Sequence, residues 1–350
     1  MVDVLTGVEL ARQYYWEVVL PLLECWRRDI AHAAGRLGSG SDVLGLDDDM
    51  SRDHDWGLRL TLLVDDCDVE TVARYLTGAL PDSFQGWPTS FATTWDPTIR
   101  PRIEVDTPEH FVWSRLGIGV EKDWGALDWL AVTGQSVLEV TAGDVFVDSH
   151  GGISEIRRRL TWYPDDVWCY VVAADWHRIG QLLPSMGRAG SRGDDPGSRI
   201  LTARIVSIAM HLAFLLQRRW PPYDKWMGTL FAQLPVAAAI AAPLEAAMKA
   251  SEWPQRQAAL SEMLTGLHDF QRSVGLPTGQ DALELFWDRP FCGVRRSVTE
   301  LLLGAVTDPV VSELPVGVGS VEQWVDNVDV LTDPQRRVDA AAALRRALVH

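Results

Sequence analysis

The residues best suited to chemistry lie between positions 38 and 57, in the stretch GSGSDVLGLDDDMSRDHDWG. The stretch begins with four small residues, Gly38, Ser39, Gly40 and Ser41. Small residues let a phosphate approach the backbone N–H groups closely. The stretch ends with Asp53 and Asp55, a pair of carboxylates of the kind that Mg²⁺ prefers as ligands. This combination predicts a site for a nucleotide and its metal ion.

From Asp53 to Val64, mostly apolar residues alternate with polar residues and glycine, and this alternation predicts a β-strand. One face carries apolar residues, among them Leu58, Leu60, Leu62 and Val64. The other face carries Asp53, Asp55, Gly57, Arg59 and Thr61. Because side chains alternate along a strand, both aspartates would lie on the face away from the core. An edge strand with surface aspartates is the alternative. The acidic run Asp47–Asp49 is interpreted as a solvated turn rather than a third metal site.

The order of these residues resembles the active-site signature of the DNA-polymerase-β-like nucleotidyltransferase superfamily. The matching residues are Gly38 and Ser39, followed by Ser51 and the Asp53-x-Asp55 pair. The whole stretch is also similar to a bacterial family of unknown function that is considered nucleotidyltransferase-like. The resemblance implies that Gly38–Ser41 holds the outer phosphates of ATP, with Ser51 beside it, and that the two aspartates hold Mg²⁺.

The superfamily has a third catalytic carboxylate on the strand beside the Asp-x-Asp strand. The next predicted strand is Pro101–Asp106, in which Arg102, Glu104 and Asp106 share one face. The resemblance implies that Glu104 is the third carboxylate, with Asp106 as the second choice. Either residue could instead be a surface charge.

The remaining pattern predicts an α+β protein with two domains. A mixed β-sheet with flanking helices is expected over residues 1–150, and a helical domain over residues 151–350. The longest predicted helix runs from Ser198 to Arg219 and carries a polar stripe of Arg204, Ser207 and His211. The polar segment 188–197 ahead of it is interpreted as a lid or a linker.

Residues 218–226, RRWPPYDKW, join two predicted helices and combine cations with aromatic residues. The segment resembles a Pro-Pro-Tyr-x-Lys-Trp stretch in the helical half of the same bacterial family. In related nucleotidyltransferases a helical domain closes the cleft and supplies a cation to the triphosphate. The resemblance implies this role for Lys225, with Tyr223 and Arg204 in the nucleotide site. A rigid aromatic turn is the alternative.

The composition limits the partners. A net charge of −16 opposes binding to a nucleic acid backbone and favours a small acceptor, which could be cationic. The longest apolar candidate for a membrane span, 234–250, is interrupted by Pro235 and Pro243, so no membrane association is expected. We expect a cytoplasmic protein because the N-terminus lacks the pattern of a secretion signal. Its four widely spaced cysteines and 16 tryptophans are interpreted mainly as packing residues.

The function predicted from these residues is magnesium-dependent transfer of AMP from ATP to a hydroxyl or amine of a small molecule, with release of pyrophosphate. Two alternatives remain open. One is ATP-dependent activation and ligation of a small carboxylate in the same cleft. The other is a non-catalytic protein of this fold that binds a nucleotide or metabolite.

Overall fold

A computed structural model describes residues 5–51, 55–94 and 96–347, with side chains to residue 344. The protein is an α+β protein with a mixed sheet in its N-terminal half and a helical C-terminal half. Its residues form two compact units. Unit 1 contains residues 1–123 and 136–161, and unit 2 contains residues 124–135 and 162–350. The domain boundary at residues 150/151 stays a prediction.

Unit 1 is interrupted once along the chain, by residues 124–135, which belong to unit 2. In order, the elements of unit 1 are α1 (Gly7–Tyr14), a π-helical turn (Tyr15–Val19), α2 (Leu20–Trp26), β1 (His32–Gly35), a 3-10 turn (Asp42–Leu44), β2 (Arg59–Val64), α3 (Asp66–Ala79), β3 (Ser83–Phe84), β4 (Trp87–Pro88), β5 (Ser90–Phe91), β6 (Arg100–Asp106) and α4 (Pro108–Leu116). After α5 (Ala126–Ala131), which belongs to unit 2, come α6 (Gly134–Thr141), β7 (Val145–Asp148) and α7 (Gly152–Arg159).

The main sheet of unit 1 has the strand order β5-β6-β2-β1-β7. Strands β2 and β6 are parallel, whereas the other neighbours are antiparallel. The predicted apolar face of β2 is confirmed, because Leu60, Leu62 and Val64 are buried in one core with side chains of α1, α2 and α3. The opposite face of β2 carries Arg59 and Thr61. Thr61 is paired with Glu104 of β6, as predicted for the neighbouring strand.

The predicted strand beginning at Asp53 is shorter than expected, since β2 begins at Arg59. Gly57 has a φ of +150° and its backbone packs against the ring of Phe91. A φ in this range is not a strand conformation for an L-residue, so the regular pleat starts only after this glycine. Asp55 therefore lies in a turn ahead of the strand. Asp53 lies outside the described residues.

Unit 2 is helical apart from one small β-hairpin. Besides α5, its elements are α8 (Asp165–Ser191), α9 (Asp195–Leu216), α10 (Asp224–Phe231), α11 (Ala237–Lys249), α12 (Trp253–Ser273), β8 (Leu283–Leu285), β9 (Cys292–Val294), α13 (Arg296–Gly304), α14 (Pro309–Ser312), α15 (Val321–Trp324), α16 (Val328–Leu331) and α17 (Pro334–Ala347).

Helices α8 and α9 form the centre of unit 2 and pack along each other. The prediction of a lid or linker over residues 188–197 is wrong, because α8 continues to Ser191 and Asp194 caps α9. Tryptophans contribute to this packing. Trp168 donates its indole N–H to the carbonyl of Leu215 at 2.7 Å, which satisfies the polar atom of a buried ring.

Among the described residues, one helix is long and apolar enough to cross a membrane, namely α9 rather than the stretch 234–250 named from the sequence. Of its most apolar window, 61% is buried inside the structure.

Candidate functional site

The loop Gly38–Ser41 is built on a buried ion pair at the end of β1. Arg36 is 2% exposed, and its guanidinium donates from Nε and Nη2 to the carboxylate of Asp42 at 2.7 and 2.9 Å. The same guanidinium donates to the carbonyl of Leu37 at 2.6 Å and to that of Ser39 at 2.8 Å. One side chain thus binds the carbonyl oxygens of the loop and fixes its course.

The backbone N–H groups of this loop differ in whether they already have an acceptor. The N–H of Gly38 donates to the carbonyl of Glu139 at 2.8 Å. Within the described residues, the N–H groups of Ser39, Gly40 and Ser41 have no acceptor. Gly38 and Gly40 have φ values of +84° and +141°, which favour glycine at both positions. Three consecutive N–H donors without acceptors form the kind of backbone that binds phosphate.

Arg59, the first residue of β2, lies over this loop. Its Nη2 is 3.5 Å from the Oγ of Ser39. Burial and the nearby charge of Arg36 lower the pKa of Arg59 to about 10. Asp42, Glu104 and Asp55 act in the opposite direction, which places all three carboxylates in its electrostatic surroundings. With this pKa the guanidinium remains positively charged at neutral pH.

Glu104 lies beside the loop and is held by Arg115 of α4. The Nη2 of Arg115 donates to both carboxylate oxygens of Glu104, at 2.8 and 2.7 Å. The guanidinium is stacked over the ring of Phe111 at 3.8 Å and is also close to Gly38, where an added Cβ would lie 3.2 Å from Nη2. Glu104 keeps 41% of its side chain exposed, so a ligand can reach it.

Asp106, the second choice for the third carboxylate, has other partners. Its Oδ2 lies 2.7 Å from the Nδ1 of His110, and its Oδ1 accepts the N–H of Thr107 at 2.8 Å. These contacts belong to the first turn of α4. The contacts of the two carboxylates therefore favour Glu104 for the site.

Asp55 and Ser51 lie in the turns that precede β2, and both are hydrogen-bonded. The Oδ1 of Asp55 accepts the N–H of Thr94 and its Oδ2 accepts the hydroxyl of Thr94, both at 2.6 Å. Ser51 donates its hydroxyl to Asp48 at 3.0 Å, and its place in nucleotide binding stays a prediction. Asp47 accepts the N–H of Gly7 at 2.6 Å, in the first turn of α1. Asp48 therefore holds a turn, whereas Asp47 departs from the predicted solvated turn because it is half-buried and connects this segment to α1.

The predicted metal ligands are Asp53, Asp55 and Glu104. The described part of the chain has no group of three or more His, Cys, Asp or Glu residues that could hold a metal ion, and Asp53 is outside that part. Asp55 and Glu104 supply the hard oxygen atoms that Mg²⁺ requires. The donor chemistry of these two residues therefore fits Mg²⁺.

The predicted nucleotide residues of the helical half lie in unit 2. Lys225 is exposed on the first turn of α10, with its Nζ 4.8 Å from the ring centre of Trp226. Tyr223 caps that helix and is 47% exposed. Arg204 is exposed on α9. Whether these side chains meet the phosphates in the loop of unit 1 stays a prediction.

His211 departs from the predicted polar stripe, because it joins a buried cluster with Asp175 of α8. Its Nδ1 is 2.6 Å from Oδ2 of Asp175, which is fully buried. Arg178 and Gln323 donate to the other oxygen of Asp175 at 2.9 and 2.8 Å. The Nε2 of His211 faces Glu322 at 3.6 Å.

The charges of this cluster support each other. Burial opposes a charge on His211, but the Asp175 carboxylate outweighs it and raises the pKa of His211 to about 10. Burial likewise opposes a charge on Asp175, but His211 and Arg178 keep the pKa of Asp175 below its ordinary value.

Three functional candidates were missed from the sequence, namely Arg36, Arg59 as a ligand-binding residue, and Arg115. The sequence placed Arg59 on the correct face of the strand, which was a usable signal. The Arg115–Glu104 contact joins a helix to a strand and has no local sequence pattern.

Comparison with known proteins gives limited similarity. Residues 129–227 match a family described as a domain of unknown function (DUF4037). No curated protein matches the chain. Among solved structures, the chain is similar to a nucleotidyltransferase-like protein from Exiguobacterium sibiricum 255-15. The two share 12% identity with a TM-score of 0.33, over 75% of this chain and 74% of the other.

Proposed function

We propose that the protein is a magnesium-dependent nucleotidyltransferase that moves AMP from ATP to a hydroxyl or amine of a small molecule and releases pyrophosphate. The observation that carries this proposal is the neighbourhood of Arg59 in unit 1. Open N–H groups of the loop lie on one side of it, and the carboxylates of Asp55 and Glu104 contribute to its electrostatics. Anion donors beside metal-binding carboxylates are what a triphosphate with its metal requires.

In the proposed reaction, the N–H groups of Ser39, Gly40 and Ser41 bind the outer phosphates of ATP. Asp53, Asp55 and Glu104 would hold Mg²⁺, which supplies charge neutralisation at the phosphates when bound. Glu104 either completes this ligand set or accepts the proton of the attacking hydroxyl or amine. Lys225 and Tyr223 would assist from the helical half, as the family resemblance implies. The acceptor attacks the α-phosphate, and the bond to the leaving pyrophosphate breaks.

The proposed partners follow from charge. The net charge of −16 supports a small, cationic or neutral acceptor rather than a nucleic acid.

A second candidate is a nucleotide-binding protein without catalysis. It is favoured by the present hydrogen bonds of Asp55 to Thr94 and of Glu104 to Arg115, which occupy both carboxylates. In this alternative, ATP binds at the loop but no product forms.

The experiment is a product analysis with ATP labelled at the α-phosphate, Mg²⁺ and a panel of small hydroxyl and amine compounds. Labelled acceptor together with pyrophosphate supports the proposal. A ligated product would indicate carboxylate activation instead. Binding of ATP without any product would support the second candidate. The double variant Asp53→Ala/Asp55→Ala should abolish turnover; because it also removes the two hydrogen bonds between Asp55 and Thr94, circular dichroism must show that it is folded before turnover is measured. Unchanged turnover in this variant would refute the nucleotidyltransferase.

A further inference from the structure

Three arginines surround the loop Gly38–Ser41, and they differ in their partners. Arg36 is paired with Asp42, and Arg115 is paired with Glu104. Arg59 has no carboxylate within salt-bridge distance in the part of the chain that the structure describes. Its hydrogen bond to Ser39 is long, at 3.5 Å. Arg59 is therefore the cation of this group whose charge remains available to a ligand.

The position of Arg59 places this charge at the open face of the loop. Nη2 is close to the hydroxyl of Ser39, and Nη1 would lie 3.5 Å from a Cβ added at Gly40. The guanidinium therefore lies next to Ser39 and Gly40, two of the residues whose backbone N–H groups lack acceptors. A Cβ at Gly40 would also lie too close to Oδ1 of Asp42 and to Nη2 of Arg36, so the glycine lets the loop pack on this ion pair. An anion bound here would replace the long contact between Arg59 and Ser39.

The surroundings of Arg59 are costly for an unpaired charge. It is partly buried, and burial and the positive charge of Arg36 lower its pKa to about 10, although Asp42, Glu104 and Asp55 act in the opposite direction without a direct contact. A desolvated charge is destabilising unless a counter-charge compensates for it. An anion bound at the loop would supply this counter-charge. A guanidinium also matches phosphate oxygens better than an ammonium, because its N–H groups form a planar fork.

We infer that Arg59, together with the N–H groups of Ser39, Gly40 and Ser41, is the binding site for pyrophosphate and for the outer phosphates of a nucleoside triphosphate. This inference rests on the proposed function for the identity of the anion. Arg59 would then be a cation of unit 1 that binds the leaving pyrophosphate. The resemblance implies a second contact, from Lys225. The site should consequently distinguish triphosphate and pyrophosphate from monophosphate.

The test is calorimetric titration of the full-length protein with sodium pyrophosphate and, separately, with AMP, both without metal. Arg59→Met removes the charge at similar length, and Arg59→Lys keeps the charge without the fork. Arg74→Met is the matched control, since Arg74 is exposed on α3 and paired with Glu70. Arg59→Met should weaken pyrophosphate binding about ten- to a hundredfold, as expected for loss of a charge-assisted hydrogen bond. Arg59→Lys should be intermediate, and Arg74→Met should equal the wild type.

Thermal unfolding without ligand separates a binding role from a structural one. Removing a partly buried charge that has no direct carboxylate partner should leave the melting temperature of Arg59→Met unchanged or higher than that of the wild type. Pyrophosphate should raise the melting temperature of the wild type and fail to do so for Arg59→Met. A lower melting temperature for Arg59→Met without ligand, together with an unchanged affinity of Arg59→Lys, would overturn the inference in favour of a structural arginine.

The remaining outcomes distinguish this inference from the proposed function. Wild-type affinity for pyrophosphate in Arg59→Met would overturn the role of Arg59 and leave the loop as the phosphate site. Absence of pyrophosphate binding in the wild type would overturn both the Arg59 site and the phosphate loop. Arg59-dependent binding without any nucleotidyl transfer in the product analysis would support the site and refute the enzyme.

Discussion

Arg59 in unit 1 and His211 in unit 2 both lie in partly buried, charged surroundings, but their charges are paired differently. Around His211, the carboxylate of Asp175 accepts from three side chains, so the positive and negative groups compensate each other. Around Arg59, the neighbouring arginines have carboxylate partners, whereas Arg59 itself has a long hydrogen bond to a serine. A compensated cluster stabilises the fold, whereas an uncompensated charge beside open N–H groups is suited to a ligand.

The largest effect is expected from Asp175→Asn, which removes the central charge of the His211 cluster. Breaking a buried ion pair by removing one partner should cost about 3–5 kcal/mol of unfolding free energy. Urea unfolding of the full-length protein would measure this loss. Asp269→Asn is the control, because Asp269 forms an exposed pair with Arg272 and should cost less than about 0.5 kcal/mol. Similar small losses in both variants would remove the contrast between the two regions.

Glu104→Gln should have the next largest effect, and on activity rather than stability. The amide keeps the shape of the side chain but loses the charge needed for metal binding or proton transfer. We expect turnover to fall by about a hundredfold or more, with ATP binding largely retained. Asp106→Asn is the matched comparison on the same strand face. If Asp106→Asn suppresses turnover and Glu104→Gln does not, the third carboxylate is Asp106.

The next smaller effect is expected in the pH dependence of stability, to which His211 should contribute. The pKa of His211 is raised from 6.5 to about 10 in the folded protein. Its charge therefore contributes fully below about pH 6.5, and this contribution is lost as the pH rises through about 10. Urea midpoints measured from pH 6 to pH 10 should fall more for the wild type than for His211→Gln. Parallel profiles would mean that His211 is not charged in the folded state.

Lys225→Ala should give the smallest effect, since this lysine is exposed and its charge is screened by solvent. We expect triphosphate binding to weaken by about threefold, monophosphate binding to change less, and stability without ligand to stay unchanged. Lys249→Ala, which removes another exposed lysine, is the control for a general charge effect. Equal losses for triphosphate and monophosphate, or a large loss of stability, would make residues 218–226 a structural turn.

Local patterns predicted much of the sheet unit. Apolar residues at every second position of β2 identified the buried face, and the next strand was placed correctly beside it. The small residues from Gly38 to Ser41 identified the loop because glycine tolerates its backbone angles. The beginning of β2 was predicted too early, because alternation continues through Gly57 while the backbone does not remain extended. The alternation in the sequence thus revealed that the strand β2 exists. The position of its first residue was set by the φ angle of Gly57, which the alternation does not show.

Long-range ion pairs could not be predicted from the sequence. Glu104 and Arg115 are 11 residues apart, and Asp175 and His211 are 36 residues apart. In each pair the two residues belong to different elements, so no repeat within one helix or strand brings them together. His211 was grouped with Arg204 by helical spacing, although one residue is buried against α8 and the other is exposed. Which polar residue of a helix becomes buried depends on the neighbouring element, so it is decided by tertiary packing.

The path of the chain through the sheet unit has a consequence for folding during synthesis. Strand β1 pairs with β2 on one side and with β7 on the other, but β7 is translated only after the 124–135 excursion into the helical unit. Until residue 148 leaves the ribosome, one edge of β1 has no partner, and open strand edges promote association between chains. A fragment that ends at residue 123 would keep this edge open permanently and should aggregate.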